Sequence, residues 1–301
     1  MNIPIQWELD GPFSYNHSCC RASVSYPLHI HNGFEIYWFL HGNVEYHVEN
    51  LRYRLEPGDL LIIPGNELHR AVVAPGRSYE RVTVHFSREF LAGFECASYD
   101  LLQCFHCVQA CGANRISAEQ AQKGGLVKLL QSLGELDASR APQKDILIKV
   151  MLVRLLLAVN ALYEQAASPA AQHDERIGAL LRFINLHLAD PLNLDTLAAH
   201  FFVNKYYLCH RFKEVMGMTI TDYIHHKRVH KAYCMLQAGA SATQAARSCG
   251  FSDYSHFYRT FKKYVGAAPS AVFRLWEQND TSALCVTGAD GADAPVRASS
   301  G

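Results

Sequence analysis

Three histidines and a glutamate in the first third of the chain could hold a metal ion or line a polar pocket. His29, His31 and Glu35 lie in the phrase HIHNGFE, and His69 follows later. Alternation along a strand places His29 and His31 on the same face. Three imidazoles and one carboxylate suit a divalent transition metal with open positions. The same groups can hydrogen-bond a small molecule, which is the interpretation we favour. Histidines that bond only backbone carbonyls are the structural alternative.

A second chemistry comes from the distribution of charge. Residues 174–274 hold 13 Lys and Arg against 7 Asp and Glu, whereas residues 1–173 hold 14 against 17 and residues 275–301 hold 1 against 4. The overall net charge of zero therefore hides a basic third of the chain. Such a region has the electrostatic character of a module that binds phosphates.

Within the basic region, one pattern of apolar residues occurs twice. The two copies are LDTLAAHFFVNKYYLCHRFKEVMG and TQAARSCGFSDYSHFYRTFKKYVG. Apolar positions with helical spacing are Leu197, Ala198, Leu208 and Phe212 in the first copy, and Ala245, Ala246, Phe257 and Phe261 in the second. Gly217 and Gly266 stand where each second helix should end. The pattern predicts two helix-turn-helix units joined by a helix over residues 220–236.

The exposed N-terminal side chains of each second helix are the candidate DNA readers. They are Lys205, Tyr206, Cys209 and His210 in the first unit, and Tyr254, Ser255, Tyr258 and Arg259 in the second. Arg259 can bond guanine at two points, which discriminates bases by roughly 1–3 kcal/mol. The alternative for Arg259 is a phosphate contact or an ion pair within its own helix. The alternative for Tyr206 and Tyr258 is partial packing against the protein. Lys213, Lys262 and Lys263 suit phosphate contacts.

Three phrases in this region resemble the DNA-binding domain of the AraC/XylS family of transcription regulators. They are YLCHRFKEVMG, TDYIHHKRVHKAYCML and GFSDYSHFYRTFKKYVG, followed by Pro269. The resemblance covers about a third of the chain, and Ala245 departs from the larger aliphatic residue usual there. It implies double-stranded DNA as a partner, a homodimer, and contact with RNA polymerase if the protein is an activator. Two recognition helices should enter successive major grooves roughly 34 Å apart.

The N-terminal part has the alternation of short strands. The runs FEIYWFL, VEYHV, DLLIIP and RVTVHF, separated by turn residues, predict an antiparallel sandwich or barrel. HIHNGFE, with EPGD at 56–59, Pro64 and His69, resembles the two motifs of the cupin barrel, although Asn66 and Val73 depart from the second motif.

The cupin resemblance implies a domain that senses a small molecule, with His29, His31, Glu35 and His69 as its binding residues. A sugar suits imidazoles, a carboxylate and aromatic faces such as Tyr37 or Trp38. Alternation allows only one of these two aromatic residues to face inward.

The remaining segments complete a multidomain organisation. We expect a cupin-like all-β barrel over residues 1–110, a helical dimerisation segment over 111–166, a linker over 167–174, an all-α DNA-binding domain over 175–275 and a disordered tail over 276–301. Ser117 is the expected N-cap of the helical segment. The apolar stretch Ile146 to Tyr163 is interrupted by Lys149, Arg154 and Asn160, which favours a buried helix or a subunit interface over a membrane span.

Ten cysteines without a secretory signal predict reduced thiols in the cytoplasm. Cys96, Cys104, Cys107 and Cys111 lie near His106, so zinc binding or redox sensing stands as an alternative to buried, inert thiols.

The sequence therefore predicts a non-enzymatic regulator that binds specific DNA, activates transcription and responds to a sugar. No cofactor is required, although a divalent metal could occupy the histidine site. A metal-dependent cupin enzyme fused to a DNA-binding module is one alternative. A constitutive DNA-binding protein whose barrel only dimerises is another.

Overall fold

The computed structural model describes residues 6–8, 12–20, 26, 28–74, 78–111, 113–165 and 174–272. The chain divides into two compact units, one built mainly from residues 8–172 and the other mainly from residues 173–292. The predicted tail over 276–301, and the predicted linker up to residue 173, lie outside the described residues.

Ten strands form two antiparallel sheets among the described residues. The strands are β1 (Gln6–Glu8), β2 (Phe13–Cys20), β3 (His29–His31), β4 (Phe34–His41), β5 (Val44–Val48), β6 (Leu51–Arg54), β7 (Leu60–Ile63), β8 (His69–Val73), β9 (Tyr79–Phe86) and β10 (Arg115–Ile116). The first sheet has the order β1-β3-β8-β5-β6, and the second has the order β10-β7-β4-β9-β2.

The two sheets face each other but do not close into a barrel among the described residues. β2 pairs along its whole length with β9, and β6 pairs with β5, so each is an edge strand in the described part of its sheet. The predicted all-β domain is confirmed, and its barrel is open among the described residues. Edge strands remain in both sheets because no described pair of hydrogen-bonded strands connects one sheet to the other.

Alternation along β4 decides which side chains lie between the sheets. Tyr37 and Phe39 pack there with Tyr46 of the first sheet, whereas Ile36 and Trp38 pack in a second core beneath the helices. Only one residue of the Tyr37–Trp38 pair therefore faces inward, as alternation predicts.

Helices cover the outer face of the second sheet. They are α1 (Gln103–Cys111), α2 (Ala118–Lys123), α3 (Leu126–Ala138) and α4 (Lys144–Gln165). Ser117 is the N-cap of α2, and a reciprocal pair of bonds with Gln120 forms a capping box. The predicted N-cap is confirmed.

Helix α4 is long and apolar enough to span a membrane, with a mean hydropathy of 2.0 over Lys144–Glu164. A core helix of a water-soluble protein meets the same criterion. Leu152, Leu155 and Leu156 are fully buried against the second sheet and its helices. Asn160 is also buried, and its side chain accepts a hydrogen bond from the backbone N–H of Cys104 at 2.9 Å. These contacts make α4 a core helix of this unit.

The C-terminal unit is helical. Its helices are α5 (Glu175–Leu186), α6 (Leu194–His200), α7 (Lys205–Met216), α8 (Ile220–Gln237), α9 (Ala242–Ser248) and α10 (Tyr254–Val265). Asn204 and Asp253 cap α7 and α10 by accepting backbone N–H bonds. Gly217 and Gly266 end these helices in the left-handed conformation. The two predicted helix-turn-helix units, α6–α7 and α9–α10, are confirmed, with α8 between them.

One short segment between α5 and α6 connects the parts of this unit. The Arg228 guanidinium on α8 donates to the carbonyl oxygens of Leu188 at 2.9 Å and Asp190 at 2.7 Å. The turn at Gly250 approaches the same segment, since a Cβ atom there would lie 2.7 Å from the Ala189 oxygen. Helix α8 and the second helix-turn-helix unit are thereby anchored to residues 188–190.

Candidate functional site

The two helix-turn-helix turns share one backbone design. After α9, the Gly250 N–H bonds the Arg247 oxygen and the Phe251 N–H bonds the Ala246 oxygen, with Gly250 at a φ of +79°. After α6, Phe202 and Val203 repeat these bonds to Ala199 and Ala198. This helix ending favours glycine at the left-handed position. Phe202 occupies that position with a φ of +53°.

The apolar positions of the repeated pattern form the interior of each unit. Leu208 and Phe212 are buried in the first unit, and Phe257 and Phe261 in the second. Ala245 is fully buried as well. Alanine in place of the larger aliphatic residue usual at this position therefore changes the core rather than the exposed face.

The predicted DNA readers of the first unit lie at the start of α7. Lys205, Tyr206 and His210 are exposed, with Tyr206 at 79%. Lys205 forms an ion pair with Asp195 at 2.9 Å, and the Tyr206 and His210 rings stack with centroids 6.2 Å apart. Cys209 differs, because it is only half-exposed beside the buried Leu208.

All four predicted readers of the second unit are exposed on α10. Tyr254, Ser255, Tyr258 and Arg259 line its N-terminal half. Arg259 Nε donates to the Ser255 carbonyl oxygen at 3.3 Å. Among the described ion pairs none involves Arg259, so its charge is not neutralised within the helix. Lys262 and Lys263 are exposed one turn later.

The histidine site combines residues from both sheets. Strands β3 and β8 place His29 opposite His69, and strands β4 and β9 place Glu35 opposite His85. Glu35 Oε2 lies 2.9 Å from His31 Nε2, 3.1 Å from His69 Nε2 and 3.4 Å from His85 Nε2. We call these four histidines and Glu35 the histidine cluster.

His85 belongs to the cluster although no sequence motif indicates it. It is buried on the inner face of β9, in register with Glu35. The only indication in the sequence is the alternation of RVTVHF, which places His85 on one face of the strand. That face can be assigned to the cluster only when the β4–β9 register is known. The four predicted residues are brought together, and the structure adds a fifth.

Burial and neighbouring imidazoles set the protonation of the cluster. Burial lowers the pKa of His31 to about 4, so its ring is neutral near pH 7. Burial opposes ionisation of Glu35, but His85, His31 and His69 outweigh it and hold the pKa of that carboxyl well below its usual range. The histidine cluster therefore contains a buried carboxylate among ring nitrogens.

Such a donor set can hold a divalent metal. Two sets, His29–Glu35–His69 and His31–Glu35–His85, have ligand atoms within 4.8 Å of one another. Neutral imidazoles and a carboxylate suit zinc, copper, nickel or iron. The residues fit such an ion, and the same groups also fit a polar ligand.

Two family models match the chain in the two units just described. The helix-turn-helix domain model matches residues 197–275, and the AraC-like ligand binding domain model matches residues 15–133. The chain belongs to the AraC family of transcriptional regulators. A DNA-binding unit and a ligand-binding unit are thus both present in this AraC-family protein.

Two proteins similar in sequence are named as HTH-type transcriptional regulators or activators. An uncharacterized HTH-type transcriptional regulator, YijO of Escherichia coli (strain K12), is 25% identical over 229 residues, covering 75% of this chain and 77% of YijO. The HTH-type transcriptional activator RhaS of Escherichia coli (strain SE11) is 31% identical over 145 residues, covering 48% of this chain and 50% of RhaS. The match thus spans about half the length of that activator.

Solved structures show similarity at low TM-scores. ToxT from Vibrio cholerae, bound to an unsaturated fatty acid, has a TM-score of 0.39 at 14% identity and covers 88% of this chain and 96% of ToxT. A Listeria innocua protein of unknown function has a TM-score of 0.32 at 34% identity, covering 33% of this chain and 95% of that one.

One polar network of the AraC-type DNA-binding unit was not predicted. Arg211 on α7 pairs with Asp174 at 2.7 Å and with Glu214 at 2.8 Å. Partial burial raises the pKa of Asp174, but Arg211 and the backbone N–H groups of α5 outweigh this effect and lower it. The N-cap position of Asp174 is the sequence signal that could have indicated its role.

The cysteines of the segment between residues 96 and 111 differ in burial and in pKa. Cys104 is buried, and burial raises its pKa to about 12. Cys96 is exposed, and a bond from Ser98 lowers its pKa. Among the described residues, the sets with metal-ligand spacing contain only His and Glu. His106 instead pairs with Asp100 at 2.9 Å. The Cys111 side chain lies outside the described side chains.

Proposed function

We propose that this AraC-family regulator reads a two-part DNA site through α7 and α10. The observation that carries the proposal is the pair of capped recognition helices in a basic unit, each with an exposed N-terminal half. An α-helix fits the major groove of B-DNA, and paired helices fit half-elements about one turn apart.

Individual roles follow from exposure. Lys205, Tyr206 and His210 face the first half-element, and Cys209 packs beside them. Tyr254, Ser255, Tyr258 and Arg259 face the second. Arg259 reads a guanine, because its guanidinium has no described carboxylate partner and Arg is the commonest guanine reader. Lys213, Lys262 and Lys263 contact phosphates.

A small-molecule effector bound at the histidine cluster regulates this DNA binding. His29, His31, Glu35 and His69 offer hydrogen-bond donors and acceptors, and the Tyr46 ring lies against the His69 ring with Tyr37 beside it, which suits a sugar. The effector shifts the equilibrium between two arrangements, which requires different affinities for the two. The name of RhaS supports activation, and hence contact with RNA polymerase.

The protein acts as a cytoplasmic homodimer that associates through α4. Ile146, Leu147, Val150 and Leu157 of this helix are exposed. Exposed apolar side chains repeated along one helix favour a subunit interface.

The test is a selection of genomic DNA fragments by the purified protein, followed by anisotropy titrations with the selected site and with random DNA. Arg259→Ala should weaken the selected site by about 1–3 kcal/mol, with little effect on random DNA. Lys262→Ala should weaken both and reduce the salt dependence.

Arg182→Ala is the matched control, because Arg182 is exposed on α5, outside both recognition helices. It removes the same charge and should leave the preference for the selected site unchanged. Equal losses on both DNAs for Arg259→Ala would remove Arg259 from the base readers. No enrichment of any fragment would overturn the proposed function.

A further inference from the structure

Polar side chains of β9 continue from the histidine cluster along the inner face of the second sheet. Val82 and Val84 of this strand pack in the core beneath the helices. Because side chains alternate along a strand, Arg81, Thr83 and His85 share the opposite face, between the two sheets. The cluster therefore has a hydroxyl group and a guanidinium beside it on the same strand.

The edge strand β2 adds small polar side chains to this face. Directly opposite residues of antiparallel strands share a face. Opposite His85, Thr83 and Arg81 lie Ser14, Asn16 and Ser18. Asn16 is exposed and Ser18 is half-buried, so the first sheet leaves this part of the inner face open to solvent. We call Ser14, Asn16, Ser18, Arg81 and Thr83 the polar strip.

Two tyrosines orient the Arg81 guanidinium within the polar strip. Arg81 Nη1 donates to the Tyr26 hydroxyl oxygen at 2.8 Å. The guanidinium carbon lies 4.6 Å from the centroid of the Tyr26 ring and 5.0 Å from that of the Tyr79 ring. Stacking on aromatic faces and one hydrogen bond restrict a planar guanidinium to few orientations. The side chain is therefore preorganised to receive a ligand.

The charge of Arg81 has no described carboxylate partner. Among the described residues, the ion pairs of β9 join Glu80 to His17 and His85 to Glu35, and none includes Arg81. A guanidinium is always charged and has five N–H donors. The tyrosine rings attract this cation but carry no net charge. Because Arg81 is half-buried and a buried charge is costly unless it is paired, the polar strip favours an anion.

Glu35 determines where along the inner face an anionic group would lie. Its buried carboxylate is opposite His85, at the end of the row away from Arg81. Since like charges repel, an anion is favoured beside Arg81 and disfavoured at the histidine cluster. Thr83 lies between the two ends, so hydroxyl contacts continue from one to the other. The face suits a ligand with a charged end and an uncharged, hydroxyl-bearing end.

We propose that the effector is an anionic sugar whose carboxylate or phosphate pairs with Arg81, while its hydroxyl groups contact Thr83 and the histidine cluster. This inference rests on the proposed function, which places a sugar at the cluster. Arginine bonds carboxylates and phosphates through two parallel N–H groups. The hydroxyl and amide groups of the polar strip both donate and accept, as sugar hydroxyls require. Arg81 is thus a specificity-determining residue that selects acidic over neutral sugars.

The test is a thermal-shift screen of the purified full-length protein with matched sugars. It compares glucose and galactose with their uronates, their aldonates and their phosphate esters. A ligand of the folded protein raises its melting temperature, and we expect this rise only with acidic members of the panel. A rise with the carboxylates alone, or with the phosphate esters alone, identifies the anionic group. An equal rise with a neutral sugar and its acid would overturn the proposal, as would no rise with any anion.

Calorimetry on variants then tests Arg81 itself. Arg81→Gln should weaken binding of the acidic sugar at least about tenfold, because it removes hydrogen bonds to a charged group. Arg81→Lys keeps the charge but loses the two-point contact, so it should lose affinity too, but less. If Arg81→Gln does not fold, as judged by circular dichroism, the loss in Arg81→Lys replaces it. Unchanged affinity in the folded variant would overturn the role of Arg81.

Arg70→Gln is the matched control, because Arg70 is a half-buried arginine of β8 on the opposite face from the buried Ala71. It removes the same charge outside the inner face and should leave the affinity within about threefold. A loss equal to that of Arg81→Gln would overturn a specific contact with Arg81. A neutral sugar that binds would overturn the anionic effector but keep the proposed effector site. Selective DNA binding measured on the same samples keeps these failures distinct from failure of the proposed function.

Discussion

Replacing Phe202 with glycine should stabilise the first helix-turn-helix unit. Phe202 has a φ of +53° and is 95% exposed, so the left-handed backbone is strained and the ring contributes almost no burial. The left-handed conformation costs a non-glycine residue roughly 1–2 kcal/mol. The added freedom of glycine in the unfolded chain costs about 0.4–1 kcal/mol. The difference predicts a gain of about 1 kcal/mol for Phe202→Gly.

Hydrogen exchange with mass spectrometry can measure this gain locally, in peptides from α6 and α7. About 1 kcal/mol corresponds to roughly fivefold slower exchange where opening of this unit limits exchange. Phe202→Ala is the control, since it removes the ring but keeps the Cβ atom, and it should change little. Unchanged or faster exchange in Phe202→Gly would refute the assignment of strain, as would equal protection in both variants.

Three further predictions concern other parts of the chain. Gly250→Ala should destabilise the second unit by about 2–4 kcal/mol in urea unfolding, because the new Cβ atom would lie 2.7 Å from the Ala189 oxygen at a positive φ; a loss below 1 kcal/mol would contradict this. Burial lowers the pKa of His226 to about 3, so the unfolded chain binds the proton first and stability should fall as pH drops from 6.5 to 5, by at most about 2 kcal/mol. The slope should shrink in His226→Gln, and an unchanged slope would exclude His226 as its source. Leu157→Lys should convert a dimer to monomers in sedimentation, whereas a persistent dimer would place the interface elsewhere.

The helix-turn-helix units could be predicted from sequence because their signals are local. Buried positions recur at helical spacing, and capping residues such as Asn204 and Asp253 stand next to the helices they start. Inward-facing Tyr37 likewise follows from strand alternation. The exposed readers follow from the same spacing, except that Cys209 lies too close to the buried face.

The features that sequence reasoning missed depend on distant contacts. His85 joins the histidine cluster only through the β4–β9 register, which pairs residues far apart in the chain. Failure of the sheets to close is a property of all the strands together. The left-handed Phe202 was also missed, because local rules place glycine at such a turn.

The short segment at residues 188–190 has a consequence for the operator. Arg228 of α8 and the Gly250 turn both hold its backbone, and Phe212 of α7 packs against Tyr223 of α8 with ring centroids 5.7 Å apart, so α7 and α10 should keep a fixed separation. One inserted base pair moves a half-element by about 3.4 Å and rotates it by about 35°. We therefore expect the DNA, rather than the protein, to absorb the change by twisting or bending. Natural sites for this regulator should therefore vary in sequence between the half-elements but hardly at all in their spacing.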